Sequence, residues 1–232
     1  MNFRTLFSVP LVLLAAVMTA GALERTASDP FLIPLQEPEM VISAESLDLK
    51  AGIVTLRGKV RAVRGTDVLT CEKALLRNKP QWLLASLTPK LVRKESLAEK
   101  MVLRESQLEA ENIVWEEATN RVLASPAVTI RIEERSWDLA TYTWAVISAD
   151  AMEGIRDQQI MNFEGNVRMR DKTRYGEGQK LEYFKASSTV ILSGQARIES
   201  EEFDAKNNKT VKRQINGNRI IYNMKTKEAF SE

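Results

Sequence analysis

Apolar residues in this chain fall largely on alternate positions, in short runs broken by small residues or proline. A period of two puts successive side chains on opposite faces of a strand. In "GNVRMR" Val167 and Met169 share one face while Arg168 and Arg170 share the other. "GKVRAVR" sets Val60 and Ala62 against Arg61, and "GQARIE" sets Ala196 and Ile198 against Arg197 and Glu199. One apolar face and one charged face is the pattern of antiparallel sheet wrapped around a single interior. The charged face, including Lys172 and Arg174, reads as solvated surface rather than as a set of binding residues.

The alternating runs repeat. Five segments have the form alternation, small-residue or proline bend, alternation: "VTLRGKVRAV", "LLASLTPKLVR", "VLASPAVTIRI", "MNFEGNVRMR" and "VILSGQARIE". They recur roughly every 30 to 40 residues,. Between them lies a second type of run with a polar or acidic residue near its start: "TCEKALLR", "SQLEAENIVW", "YGEGQKLEYF" and "INGNRIIYN". The halves of the chain also match each other. "ISAESLD" at Ile42 resembles "ISADAME" at Ile147, and each precedes its own Gly-Lys-Val-Arg or Gly-Asn-Val-Arg phrase at nearly the same distance. The spacing predicts a stacked, repeating, all-β architecture.

Residues 95–123 are rich in Leu, Glu, Lys and Ala, and propensity alone suits a helix there,. A strand at "SQLEAENIVW" preserves the repeat, and agreement across the chain outweighs local preference. A short helix over 96–103 stays open. The chain begins with Arg4, an apolar run over 6–17 and the small residues Ala20, Gly21 and Ala22, which predicts a secretory signal peptide over 1–22,. Retention of the run as a membrane anchor is the alternative. Residues 23–40 carry Pro30, Pro34 and Pro38 and predict an extended arm ahead of a β domain over 41–232,.

Composition then removes function classes. The chain has 33 Lys and Arg against 31 Asp and Glu, a net charge of +2 with the signs interspersed, unlike the basic stripe of a nucleic-acid binder,. It has no histidine, so it lacks the commonest general base and metal ligand,. Nothing in it calls for a metal or cofactor. Cys71 is alone and cannot pair within its chain, and it reads as a small buried apolar residue,. Glu45, Asp48, Asp150 and Glu153 offer paired carboxylates,. They recur with the repeat, whereas an active site occurs once, so a structural role is expected and the chain is read as a non-enzyme.

"ISAD", "FEGNVRMR", "LEYF", "VILSGQARI" and "INGNRIIYNMKTKEA" resemble the strand repeats of the periplasmic lipopolysaccharide-transport family, the LptA or OstA-like domain. The resemblance covers 41–228 and is strongest after Ile147 and weakest between Pro80 and Arg135. It implies an elongated β-jellyroll of two facing antiparallel sheets, folded like an open taco, whose interior holds the acyl chains of lipopolysaccharide. It also implies periplasmic location, and copies stacked head to tail between an inner-membrane anchor protein and an outer-membrane assembly protein. The groove would be lined by Val54, Leu56, Val60, Phe163, Val167, Met169, Leu181, Tyr183, Val190, Leu192, Ala196, Ile198, Ile220 and Tyr222. For each of these, ordinary core packing stands beside ligand contact. Two further readings stay open: an anchored partner of the LptC type with the same fold, and a structural envelope β-solenoid without cargo.

Overall fold

Alternation is realised as strands throughout. The computed structural model describes residues 40–232 apart from 79–80, 99–100, 157, 205–207, 225 and 227. The expected leader and all but the last residue of the expected arm lie outside the described residues. In chain order the strands are β1 (Val41–Ser43), β2 (Ser46–Lys50), β3 (Ile53–Arg64), β4 (Asp67–Asn78), β5 (Gln81–Ser86) and β6 (Lys90–Leu97). Then follow β7 (Val102–Glu109), β8 (Asn112–Glu116), β9 (Arg121–Ser125), β10 (Val128–Ser136), β11 (Tyr142–Ala149) and β12 (Ala151–Ile155). The last are β13 (Ile160–Asp171), β14 (Arg174–Phe184), β15 (Thr189–Asp204), β16 (Lys209–Asn223) and β17 (Ala229–Ser231). Both ends of the stretch considered for a short helix over 96–103 are strand, since β6 ends at Leu97 and β7 begins at Val102.

Pairing is antiparallel everywhere and forms two leaves. In the first, β1 lies on the end of β3, β4 begins beside β6, and β6, β7, β10, β11 and the end of β13 follow in order. In the second, β2 lies on the start of β3, and β4 ends beside β5, followed by β8, β9, β12 and the start of β13. Strands β3, β4 and β13 to β16 run unbroken from one leaf to the other, so the two leaves are one hydrogen-bonded sheet folded along a line.

Successive rungs cross that line in two ways. The five bend segments found in the sequence carry a left-handed residue or pair there: Gly58 and Lys59, Leu87 and Thr88, Ala127, Gly165 and Asn166, and Gly194 and Gln195. Between Glu164 and Val167 of β13 there is one residue more than on the facing stretch of β14, Lys180 to Gly178, which is a β-bulge,. The same excess occurs at Arg57/Val60 and Ser193/Ala196. The other rungs cross without it.

The repeated acid sits at this crossing. The Glu45 N–H donates to the Arg57 and Gly58 carbonyls at 3.1 and 3.0 Å, and the Asp150 N–H to those of Glu164 and Gly165 at 3.1 and 2.9 Å. Their side chains lie over the bulge glycine and hold the residue after it: Lys59 Nζ is 2.8 Å from Glu45, and Asn166 donates to Asp150 at 2.8 Å. The recurrence of Glu45 and Asp150 therefore has a structural cause.

Inward positions form rows that run from rung to rung. Next to the fold line, Leu56, Ala74, Ala85, Ile113, Ala124, Met152, Phe163, Leu181, Leu192 and Ile220 are neighbours in unbroken register along the second leaf. All of them are buried, each large one contributing about 1.5–3 kcal/mol,. Cys71 is buried beside Val60, as expected.

Gly165, at a bulge, and Gly52, in the β2/β3 turn, separate the two demands on a left-handed glycine. Both have φ near +76°, at +75° and +77°, but a Cβ on Gly165 would lie 2.3 Å from an Asp150 oxygen and 2.9 Å from its Cβ, whereas Gly52 has nothing within 4 Å. Urea denaturation of Gly52→Ala is expected to show a loss of about 1–2 kcal/mol from backbone strain. Gly165→Ala is expected to lose about 2–4 kcal/mol, because the clash adds to the strain.

Candidate binding cavity

Away from the fold line the rows part and enclose a cavity of about 610 Å³ in the middle of the sheet. Its walls are β6, β7, β10, β11 and the first-leaf ends of β13 and β14 on one side, and β9, β12 and the second-leaf halves of β13 to β16 on the other. Small inward residues make the room. Gly154 stands between Val122 and Met161 where neighbouring rungs carry Trp115 and Tyr183, and Ala145 stands beside Ile132.

The first-leaf wall grades from apolar to charged toward the mouth. The innermost row is Leu91, Leu108, Ile130, Ile147 and Met169. The next is Arg93, Ser106, Ile132, Ala145 and Asp171, and the outermost is Glu95, Arg104, Glu134 and Thr143. Arg104 donates to Glu134 from Nε at 2.7 Å, and its Nη1 lies 3.8 Å from Glu95. Arg93 makes a bidentate pair with the buried Asp67 at 2.6 Å, a geometry that holds both groups firmly,. That hydrogen bond holds the Arg93 guanidinium above its ordinary pKa against the opposing effect of burial. Burial pushes the Tyr183 phenol up as well, so it stays a neutral, partly apolar wall group.

Three polar contacts join the leaves across the mouth. Lys185, in the turn after β14, reaches both oxygens of Glu95 at 3.0 and 3.1 Å. Arg156 lies 4.0 Å from Asp67. Arg174 hydrogen-bonds the Tyr222 hydroxyl and stacks over its ring at 5.0 Å. Exposed Lys172 and Thr173 complete the rim. An apolar interior with a charged rim accepts an amphiphile with its polar end outward. Among the described residues no group of three or more His, Cys, Asp or Glu is placed to hold a metal ion.

All fourteen residues read from the sequence lie on inward rows, but they divide. Met169, Tyr183, Val190 and Tyr222 line the cavity. Leu56, Val60, Phe163, Val167, Leu181, Leu192, Ala196, Ile198 and Ile220 are buried and do not line it, and Val54 is half-buried near the start of the sheet. The wall instead draws on Leu91, Leu108, Ile130, Ile132 and Met161, which the sequence reading left out. Their signal was present, because "KLVR" and "TIRI" belong to the second and third bend segments. Arg93 and Glu95 were marked by standing in phase with Leu91, a charge where alternation expects an apolar residue.

A family model described as LptA/(LptD N-terminal domain) LPS transport protein matches residues 42–228. The chain belongs to this family. The resemblance read from the repeats is thereby confirmed, as is the all-β jellyroll class. Among solved structures, LptH of Pseudomonas aeruginosa is similar; it is the LptA-homologous periplasmic component of the lipopolysaccharide transport device. The two share 14% identity over 57% of this chain and 94% of that one, with a TM-score of 0.46. No curated protein matches the chain.

For this family member the wall composition makes a direct prediction. Ile130→Asp places an unpaired carboxylate in the apolar innermost row of the wall. Affinity for a fluorescent acyl probe is expected to fall at least about tenfold, equivalent to about 1.4 kcal/mol. The reverse substitution of a rim charge, Lys185→Met, is expected to leave affinity within about fivefold, since its ion pair is worth about 1 kcal/mol or less.

Proposed function

We propose that this protein is a periplasmic lipopolysaccharide carrier that shelters acyl chains of lipid A in the mid-sheet cavity during their crossing between the membranes. The observation that carries the proposal is the cavity itself, apolar next to the fold line and ringed by charge at its mouth. Sheltering matters energetically, because withdrawing about a dozen methylenes from water is worth roughly 10 kcal/mol. Membership of a lipopolysaccharide-transport family supports the choice of cargo. We also place the protein in a head-to-tail chain of copies between an inner-membrane anchor and an outer-membrane assembly protein. In support, among the described residues β2 pairs with β3 alone and β17 with β16 alone, so each end of the described sheet offers an edge for strand addition,.

The direct test is site-specific photo-crosslinking in cells that make lipopolysaccharide. A photoreactive residue at Met161 or Ile132, on the cavity wall, is expected to give a lipopolysaccharide adduct. One at Asp48, exposed on β2, is expected to give none. Absence of adducts from both wall positions would remove the carrier reading and favour a structural β-solenoid.

A further inference from the structure

The hairpins β6/β7 and β10/β11 outreach their neighbours. The β3/β4 hairpin ends at the level of Arg93, where Asp67 pairs with it, and β13 ends at Asp171, opposite Ala145. Strand β6 continues four residues further to Leu97 and β10 continues from Ile132 to Ser136. At about 3.3 Å per residue, this four-stranded tongue projects roughly 13 Å past the hairpins on either side. The Trp137 N–H donates to the Met101 carbonyl at 2.9 Å and ties the two turns into one tip.

The apolar lining of the wall thins along the tongue, whose inner face carries Glu95, Arg104 and Glu134 beside the half-buried Leu97 and Val102. Leu103 and Tyr142 on its outer face and Met101, Trp137 and Leu139 in its turns are 46–73% exposed. Exposed apolar groups gathered at one place mark a contact surface. Among the described residues, the charges around the tip are paired locally. Glu133 is paired with Arg131 at 2.6 Å and Arg135 at 3.0 Å, and Lys94 lies 3.3 Å from Glu105. The Asp138 carboxylate turns back to accept from the Ser136 hydroxyl and the Ala140 N–H. Arg135 also lies 5.3 Å over the Tyr142 ring, and Tyr142 belongs to the cavity wall as well as to the tip.

We propose that this tip inserts into the interfacial zone of a phospholipid bilayer and sets the cavity mouth against the membrane surface. Trp and Tyr favour that zone because their rings are apolar and their polar atoms reach the headgroups. Five partly exposed side chains alone fall short of the roughly 800 Å² per partner of a stable protein interface, whereas insertion into a fluid surface needs no matching shape,. Local charge balance means that the contact needs no anionic lipid. The inference rests on the carrier reading for its purpose, since acyl cargo would enter or leave beside Tyr142, but not for its test.

The test uses the full chain with Cys71→Ala and a nitrobenzoxadiazole probe on Leu139→Cys, compared with the same probe on Asp48→Cys. Anything else that binds the chain to vesicles affects both probes alike. With phosphatidylcholine vesicles, fluorescence at 139 is expected to rise at least about twofold, to be quenched by doxyl-labelled lipid and to survive high salt, while the probe at 48 does not respond. Trp137→Ser, with unchanged circular dichroism, is expected to abolish most of the rise. An equal response at both sites, or none at 139, would overturn the proposal. So would a rise at 139 that follows protein concentration without vesicles, which would assign the tip to a second copy. Crosslinking from Met161 on the same preparation reads the carrier function separately: adducts without a probe response sink the tip alone, and a probe response without adducts sinks carriage alone.

Discussion

The structure depends on carrying an apolar inner face through a bend without breaking the backbone ladder. Side chains alternate strictly along a strand, so two leaves with a common interior require every rung to arrive in the second leaf in the right phase. Neighbouring rungs meet this requirement differently. On β13, Phe163 and Val167 both point inward with three residues between them, and the extra residue is absorbed by the left-handed pair Gly165 and Asn166. On β14, inward Leu181 is followed by Gly178, so parity changes across the line. Because one rung keeps its parity and the next changes it, each bulge faces a plain strand.

This explains which parts of the fold were legible. The five bend segments of the sequence are the rungs that keep parity, and the runs "TCEKALLR", "SQLEAENIVW" and "YGEGQKLEYF" are rungs that change it. Gly58, Gly165 and Gly194 signalled the first class because a residue with φ above +70° is cheapest as glycine,. The strand content of 95–123 was legible through the same rhythm despite a composition suited to helix. Register overrode propensity there: Leu108 and Ile113 must face inward on opposite parities, which helical spacing cannot provide.

The cavity was less legible than the fold. Inward orientation can be read from phase, but whether an inward residue is packed or lines a space depends on what stands opposite, on another leaf far away in sequence. Phe163 and Met161 share one face of β13, yet Phe163 is fully buried next to the fold line and Met161, one step further out with Gly154 beside it, borders the cavity. No local pattern separates the two. The charged rim was likewise hidden, because an Arg or Glu on a strand is ordinarily solvated surface, and only strict phase with Leu91 marks Arg93 and Glu95 as inward.

The two leaves are held together unequally. Along the fold line they share continuous strands, backbone hydrogen bonds and rows of fully buried side chains, each worth about 1.5–3 kcal/mol,. Across the mouth the described contacts are Lys185 with Glu95, Arg156 with Asp67, and Arg174 with Tyr222. The Lys185–Glu95 pair, partly exposed on both sides, is worth about 1 kcal/mol or less,. A volume of about 610 Å³ lies within the roughly 300–1,000 Å³ that encloses a single drug-sized ligand, and a glycolipid with several acyl chains is larger,. For the proposed carrier, parting the mouth would sacrifice the weak side of the molecule and leave the strong side intact, so a bulky amphiphile would be admitted by widening rather than by unfolding.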